Sequence, residues 1–185
     1  MKKVSIIFLL SIIISLTVIG FQNEQKDGGR YAMNAEQEQY LRLHIRADSN
    51  EEDAQTVKYK IRDELIDYLT PIVAECSSRE LAISAIQENT EALQTLANGV
   101  LRQNGFAYTA VVKLCIEQFP TRQYGSLTLP AGEYMAMIVE LGKAKGDNWW
   151  CVIYPPLCFV GEVSSGKNVV YKSKILEIIQ SFQAK

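Results

Sequence analysis

A single histidine occurs in the 185 residues, at position 44, and that scarcity removes most of the familiar catalytic layouts. No glycine-rich phosphate loop, G-x-S-x-G elbow, H-E-x-x-H helix or C-x-x-C pair is present, so the motif-bearing nucleotide, serine-hydrolase, zincin and thioredoxin chemistries have no anchor. Excess positive charge is also missing: Lys plus Arg number 19 against 21 acids, for a net charge of −2. A nucleic-acid partner calls for a basic face, and none is visible. Internal repeats and low-complexity tracts are likewise absent, which sets aside solenoids and disorder as descriptions of the whole.

What is present begins with an apolar run. Met1-Lys2-Lys3 is a short basic start, and Val4 to Phe21 is almost unbroken Ile, Leu, Val and Phe over about eighteen residues. That length lies between a signal-peptide core and a minimal membrane-spanning helix. Residues 1–20 therefore read as a signal peptide or, if uncleaved, a signal anchor, and the rest of the chain as exported. Without Lys2 and Lys3 the balance becomes 17 bases against 21 acids, a net charge of −4. Residues 21–35 are polar, contain glycine and lack period, as expected of a flexible spacer. Residues 36–185, 48% hydrophobic as part of the whole chain, suffice for one globular domain.

Hydrophobic periodicity predicts an α+β fold: a mostly antiparallel sheet of about four strands, covered on one face by three to four helices. Leu41, Leu43 and Ile45 alternate with Arg42, His44 and Arg46, the pattern of a strand with one buried face. Ser49 and Glu52 have capping-box spacing before a helix through Val57, Ile61, Leu65 and Leu69 that should end near Pro71. Ser77 and Glu80 repeat the spacing before a second helix through Ile86, and a third covers Thr90 to Gln103, stopped by Asn104-Gly105. Residues 107–118 and 133–141 alternate again and read as an antiparallel pair with a long connection; Trp149 to Tyr154 should extend that sheet after a turn at 142–147. A last helix is expected over 172–183.

Three groups of residues invite a chemical reading. Alternation puts Arg42, His44 and Arg46 on one face of the first strand, which as a polar face is either a solvated strand surface or a binding site. Asp48, Asn50, Glu52 and Asp53 have the acids of a cation loop but lack the glycine and distal glutamate of an EF-hand, and a capped helix start explains them. The stretch NWWCVIYPPLCF, residues 148–159, holds two tryptophans and two of the four cysteines. Metal binding would need more thiolates or histidines nearby, and a reactive thiolate a neighbouring cation. A disulfide between Cys151 and Cys158, across the turn made by Pro155-Pro156, or two buried thiols, is the preferred reading. Trp149 and Trp150 face opposite sides of a strand, so one is core and the other rim or contact. No cofactor, metal or catalytic residue is expected.

Three segments, LRLHIRADSNEEDAQTVKYKIRDEL (41–65), FPTRQYGSLTLPAGEY (119–134) and NWWCVIYPPLCF (148–159), together resemble the stage II sporulation protein R family of endospore-forming bacteria. The resemblance runs from about residue 40 to 160. It implies a secreted signalling protein and not an enzyme, exported from the forespore into the space between the two sporulation membranes. There it would activate the membrane-embedded aspartic protease SpoIIGA, which removes the pro-sequence of sigma factor E in the mother cell. Among the positions matching the family motif, Arg42, His44, Tyr124, Glu133, Trp149 and Trp150 form the candidate partner-binding set. Pro130 and Gly132 match as turn residues, and Leu41 and Ile45 as core. A small-molecule substrate is not expected. The competing expectation is an exported cell-wall hydrolase, or a wall-binding module, using the Arg42 and His44 face with a carboxylate such as Glu133.

Overall fold

A computed structural model of the chain describes residues 35–125, 127–159 and 179–180. The expected signal segment lies outside the described residues, as do the spacer apart from Ala35 and the C-terminal helix apart from Ile179 and Gln180, which are helical. After a short 3-10 turn at Gln37–Gln39, the elements run β1 (Leu41–Arg46), α1 (Glu52–Ala74), α2 (Arg79–Gln103), β2 (Ala110–Phe119), β3 (Arg122–Tyr124), β4 (Leu127–Leu129), β5 (Gly132–Leu141) and β6 (Asn148–Tyr154), with a second 3-10 turn at Leu157–Phe159. The class is α+β, as the periodicity implies.

Four strands form the main sheet in the order β2-β5-β1-β6. β2 and β5 pair antiparallel from Ala110 opposite Leu141 to Phe119 opposite Gly132, the long hairpin expected of two alternating segments. β6 does not extend that hairpin. It pairs antiparallel with β1, and β1 lies parallel to β5, Arg42 opposite Ala136. The first strand is thus inserted between the last two: the two helices carry the chain from β1 past the β5 position to the edge strand β2, and β5 returns beside β1 in the parallel sense. The turn-rich stretch between β2 and β5 adds a separate two-stranded sheet, β3 with β4, which alternation over three residues is too short to reveal.

The helices differ from expectation in number. α1 presents Val57, Ile61, Leu65, Leu69 and Val73, all buried at four-residue spacing, and runs on through Pro71. A proline three residues from a helix end forfeits one backbone bond, to the carbonyl four residues earlier. Full burial of Val73 and Ala74 offsets that loss, the valine side chain contributing about 1.5–3 kcal/mol. The second and third expected helices are one continuous α2. The Asn89 amide donates to the Ala85 carbonyl at 2.8 Å and the Thr90 hydroxyl to that of Ile86 at 3.0 Å, so these polar side chains fold back onto the helix they were expected to interrupt. α2 opens on Ser78, one residue past the expected cap, whose Oγ accepts from the Leu81 amide. α1 opens on Glu51 without a side-chain cap. Gly105, at φ 81°, closes α2 as expected, its amide donating to the Arg102 carbonyl and that of Phe106 to the Leu101 carbonyl.

Leu41, Leu43 and Ile45 pack with Met137, Val139, Cys151 and Ile153 against the stripes of α1 and α2, where Ile86, Leu93, Ala97 and Leu101 are fully buried. A second, smaller core lies on the other face of the sheet: Tyr40, Phe119, Leu129, Tyr134, Ala136, Ile138 and Val152. β1 is therefore buried on both faces, the opposite of the half-solvated strand its alternation implies. Interior placement between β5 and β6 is the cause. A 2.0-residue period reports that two faces differ and says nothing of whether the polar one is wet.

Candidate functional site

The second face of β1 holds the three side chains that alternation brings together. At its start, the guanidinium of Arg42 is enclosed by aromatic rings. Its Cζ lies 4.1 Å from the ring centre of Phe119, 4.8 Å from that of Tyr134 and 5.7 Å from that of Tyr124. Nη2 donates to the Tyr124 hydroxyl at 2.7 Å. Nε and Nη1 are buried and have no hydrogen-bond partner among the described residues. Arg42 is 0% exposed, so the expectation of a surface residue is corrected: β5 and β6 flank its strand, and Phe119, from the end of β2, covers its side chain.

Electrostatically this is an unusual placement. Burial lowers the guanidinium's pKa from its ordinary value, opposed by Tyr124 and Tyr134, and the neighbouring Arg122 adds to the lowering. Arginine nevertheless remains charged in a protein. A buried ion without a counter-charge costs several kcal/mol. The Tyr124 bond offsets about 1.5–3 kcal/mol of that, and each ring about 0.5–2 kcal/mol.

His44, two residues on, lies against the indole of Trp150, with Phe119 edge-on to both rings. It is 1% exposed, which corrects the second surface expectation. Neither ring nitrogen makes a hydrogen bond among the described residues. Burial pushes its pKa down to about 4; the Asn148 side chain works in the other direction without reaching hydrogen-bonding geometry. A histidine held neutral, sealed and unconnected to a carboxylate is poorly placed for proton transfer. Arg46 ends the row, paired with Glu117 and, at 2.7 Å, with Glu140, which Lys113 also meets at 2.9 Å.

Glu133 is half-buried at the start of β5 opposite Gln118. Alternation places it on the face opposite Tyr134, away from Arg42 and His44, so the triad required for a hydrolytic reading is not assembled. Tyr124 is half-buried, its hydroxyl turned inward to Arg42. The tryptophans do face opposite ways: Trp150 packs with the second core and Arg122 lies 5.6 Å over it, while Trp149 packs on the helical side with Arg62 5.5 Å above its ring. Arg62 is also 4.9 Å from the ring of Tyr59, which is 42% exposed. Two rings outside the candidate partner-binding set, Phe119 and Tyr134, build the box around Arg42. Tyr134 is tied by its hydroxyl to the Pro130 carbonyl at 2.8 Å. Their signal was weak, because each looks like an ordinary strand aromatic until the register brings them to one end of β1.

Cys151 and Cys158 form a disulfide. Cys76 and Cys115 are free, and burial raises both thiols above the ordinary range, away from thiolate chemistry. The acidic loop after β1 acts as a clasp: Asp48 Oδ1 accepts from the Lys143 amide at 2.7 Å and Asn50 Oδ1 from the Asp147 amide at 2.6 Å. Among the described residues no group of three or more His, Cys, Asp and Glu is placed to hold a metal ion.

Comparison with known proteins adds the family dimension. The family model for stage II sporulation protein R matches residues 37–164. A curated protein of Bacillus subtilis (strain 168), stage II sporulation protein R, is 33% identical over 173 residues, covering 91% of this chain and 76% of that protein. No solved structure matches significantly.

Proposed function

Because this chain belongs to the stage II sporulation protein R family and so has a role in sporulation, we propose that it is the exported signal that activates the membrane aspartic protease SpoIIGA and thereby starts processing of pro-sigma factor E in the mother cell. Family membership is the observation that carries this reading. The reading is supported by the burial of His44, which favours its neutral form, and by the alternation that puts Glu133 on the other face of β5. Activation by a ligand requires tighter binding to the active form of the protease than to the inactive one, since equal affinity shifts no equilibrium.

The contact surface we assign is the side of β6 that carries Trp149 with Arg62 and Tyr59, a partly exposed aromatic and cationic patch of the composition favoured at interface centres. Co-expression of the chain with the protease and a tagged sigma precursor in a non-sporulating host tests the proposal. Processing should require the chain and residues 1–20, and Trp149→Ala should abolish it in a protein that remains folded. Processing that proceeds without the chain, or without its export, sinks the proposal.

A further inference from the structure

Arg42 has more donors than the fold uses. One of its three guanidinium nitrogens is engaged, by Tyr124; Nε and Nη1 are buried and have no partner among the described residues, and the walls around them are rings. Among the described residues Arg42 forms no ion pair with a carboxylate, and its neighbours are the neutral rings of Phe119, Tyr124 and Tyr134. A guanidinium presents two edges that a carboxylate can grip with two parallel bonds, and each edge joins Nη2 to one of these unpartnered nitrogens.

The cover over this box is slight. The β3–β4 sheet has three-residue strands and is paired to no other strand of the fold. The Tyr124 hydroxyl, the buried Leu129, Leu127 and the Arg122 guanidinium over Trp150 attach it to the second core, and a 3.0 Å bond from the Ala131 amide to the Thr121 hydroxyl closes its base. Pro120 and Pro130 flank it on either side. Two-stranded sheets this short are marginal by themselves.

We propose that Arg42 is the receptor for a carboxylate, admitted when the β3–β4 hairpin lifts and gripped through Nη2 and one of the two unpartnered nitrogens, with the Tyr124 hydroxyl displaced. The carboxylate comes from an acidic side chain of the protein partner, a source that rests on the function proposed above; the site itself does not depend on it. A free small carboxylate shares the chemistry and is the other source to be separated by experiment.

The test follows the Arg42 Nε–Hε correlation by NMR in the purified chain, titrated with acetate, with an end-capped Gly-Glu-Gly peptide, and with chloride at matched ionic strength. A saturable shift with the peptide and none with chloride supports the site and its protein-borne source. A shift with acetate alone overturns that source and supports a free carboxylate. No saturable shift with either carboxylate overturns the proposal, and because it is read in the native chain this outcome holds even if Arg42→Met fails to fold. Where Arg42→Met does fold, peptide binding measured by tryptophan fluorescence should vanish; its persistence overturns the assignment. Tyr124→Phe, which removes the competing acceptor, should tighten peptide binding by about tenfold, and weakened binding overturns the displaced-hydroxyl geometry. Precursor processing that depends on the chain while no carboxylate registers at Arg42 defeats this inference and leaves the function standing; the reverse pattern defeats the function and leaves the site.

Discussion

The imidazole of His44 lies on the indole of Trp150 with ring centres 3.6 Å apart and planes inclined by 20°. The pair joins β1 to β6 at directly opposed positions, so the stack is also a cross-strand contact within the sheet. A charged imidazolium in that position would be desolvated without an acceptor, and this is why the ring stays neutral.

Stability should therefore fall on acidification. The folded pKa of His44 is about 4 and its ordinary value 6.5, so between those values the unfolded chain binds more protons than the folded one. The contribution is fully present above pH 6.5 and is lost as pH falls toward 4, on the order of 3 kcal/mol in total. Urea midpoints at pH 7, 5.5 and 4.5 should decline in the native chain, with a visibly shallower slope in His44→Gln. With only one histidine in the chain, its NMR signal can be assigned without ambiguity, and a midpoint near 6.5 would contradict the burial.

The Cys151–Cys158 bridge closes a loop of sequence separation 7. In the chain-entropy treatment such a loop contributes about 2–3 kcal/mol. Alkylation of the denatured, unreduced chain should label two thiols, Cys76 and Cys115, and reduction should expose two more. Cys158→Ser should lower the unfolding free energy by about 2 kcal/mol; four thiols labelled before reduction would rule the bridge out.

Helix starts offer a comparison of neighbouring serines. Ser78→Ala removes the acceptor of the Leu81 amide and should cost about 1 kcal/mol. Ser77→Ala and Ser49→Ala should cost well under half of that, because neither side chain caps a helix. Chemical denaturation of the three variants would decide it, equal losses at Ser77 and Ser78 counting against the assigned cap.

At Gly146 a methyl group would run into the Ser49 carbonyl, part of the backbone and unable to swing aside. The turn before β6 is held there by the Gly146 amide donating to the Ala47 carbonyl at 2.9 Å and the Lys145 amide to that of Asp48 at 3.1 Å. Gly146→Ala should destabilise by about 1–3 kcal/mol. At Gly99 a Cβ meets nothing, so Gly99→Ala, inside α2, should stabilise by about 0.5–1 kcal/mol. Thermal melts of the two variants should shift in opposite directions.

Much of this architecture was legible before the structure. The β2–β5 hairpin and the opposed tryptophans follow from local pattern, and of the two states left open for Cys151 and Cys158 the structure has the disulfide. What sequence patterns missed is what depends on non-local neighbours. LRLHIR shows a polar face, but the side chains that bury it, Phe119 and Tyr134, come from the far ends of β2 and β5. Pro71 looks like a stop until Val73 and Ala74 are seen to be core. Trp149 to Tyr154 reads as the next strand of the preceding hairpin, and only the parallel insertion of β1 shows otherwise.

That insertion bears on how the chain can assemble. A polypeptide delivered N-terminus first offers β1 long before either of the strands that flank it has emerged, so Leu41, Leu43 and Ile45 must wait on partners that arrive only with β5 and β6. Pairings of such high sequence separation are slow to form and leave apolar strand surface exposed in the interval. The helices and the β2–β5 hairpin can form from local contacts, whereas β1 gains its neighbours only through its pairing with β5 and β6, an event of high sequence separation. The same event buries Arg42 and His44, so both should be open to water in any nascent or partly folded chain.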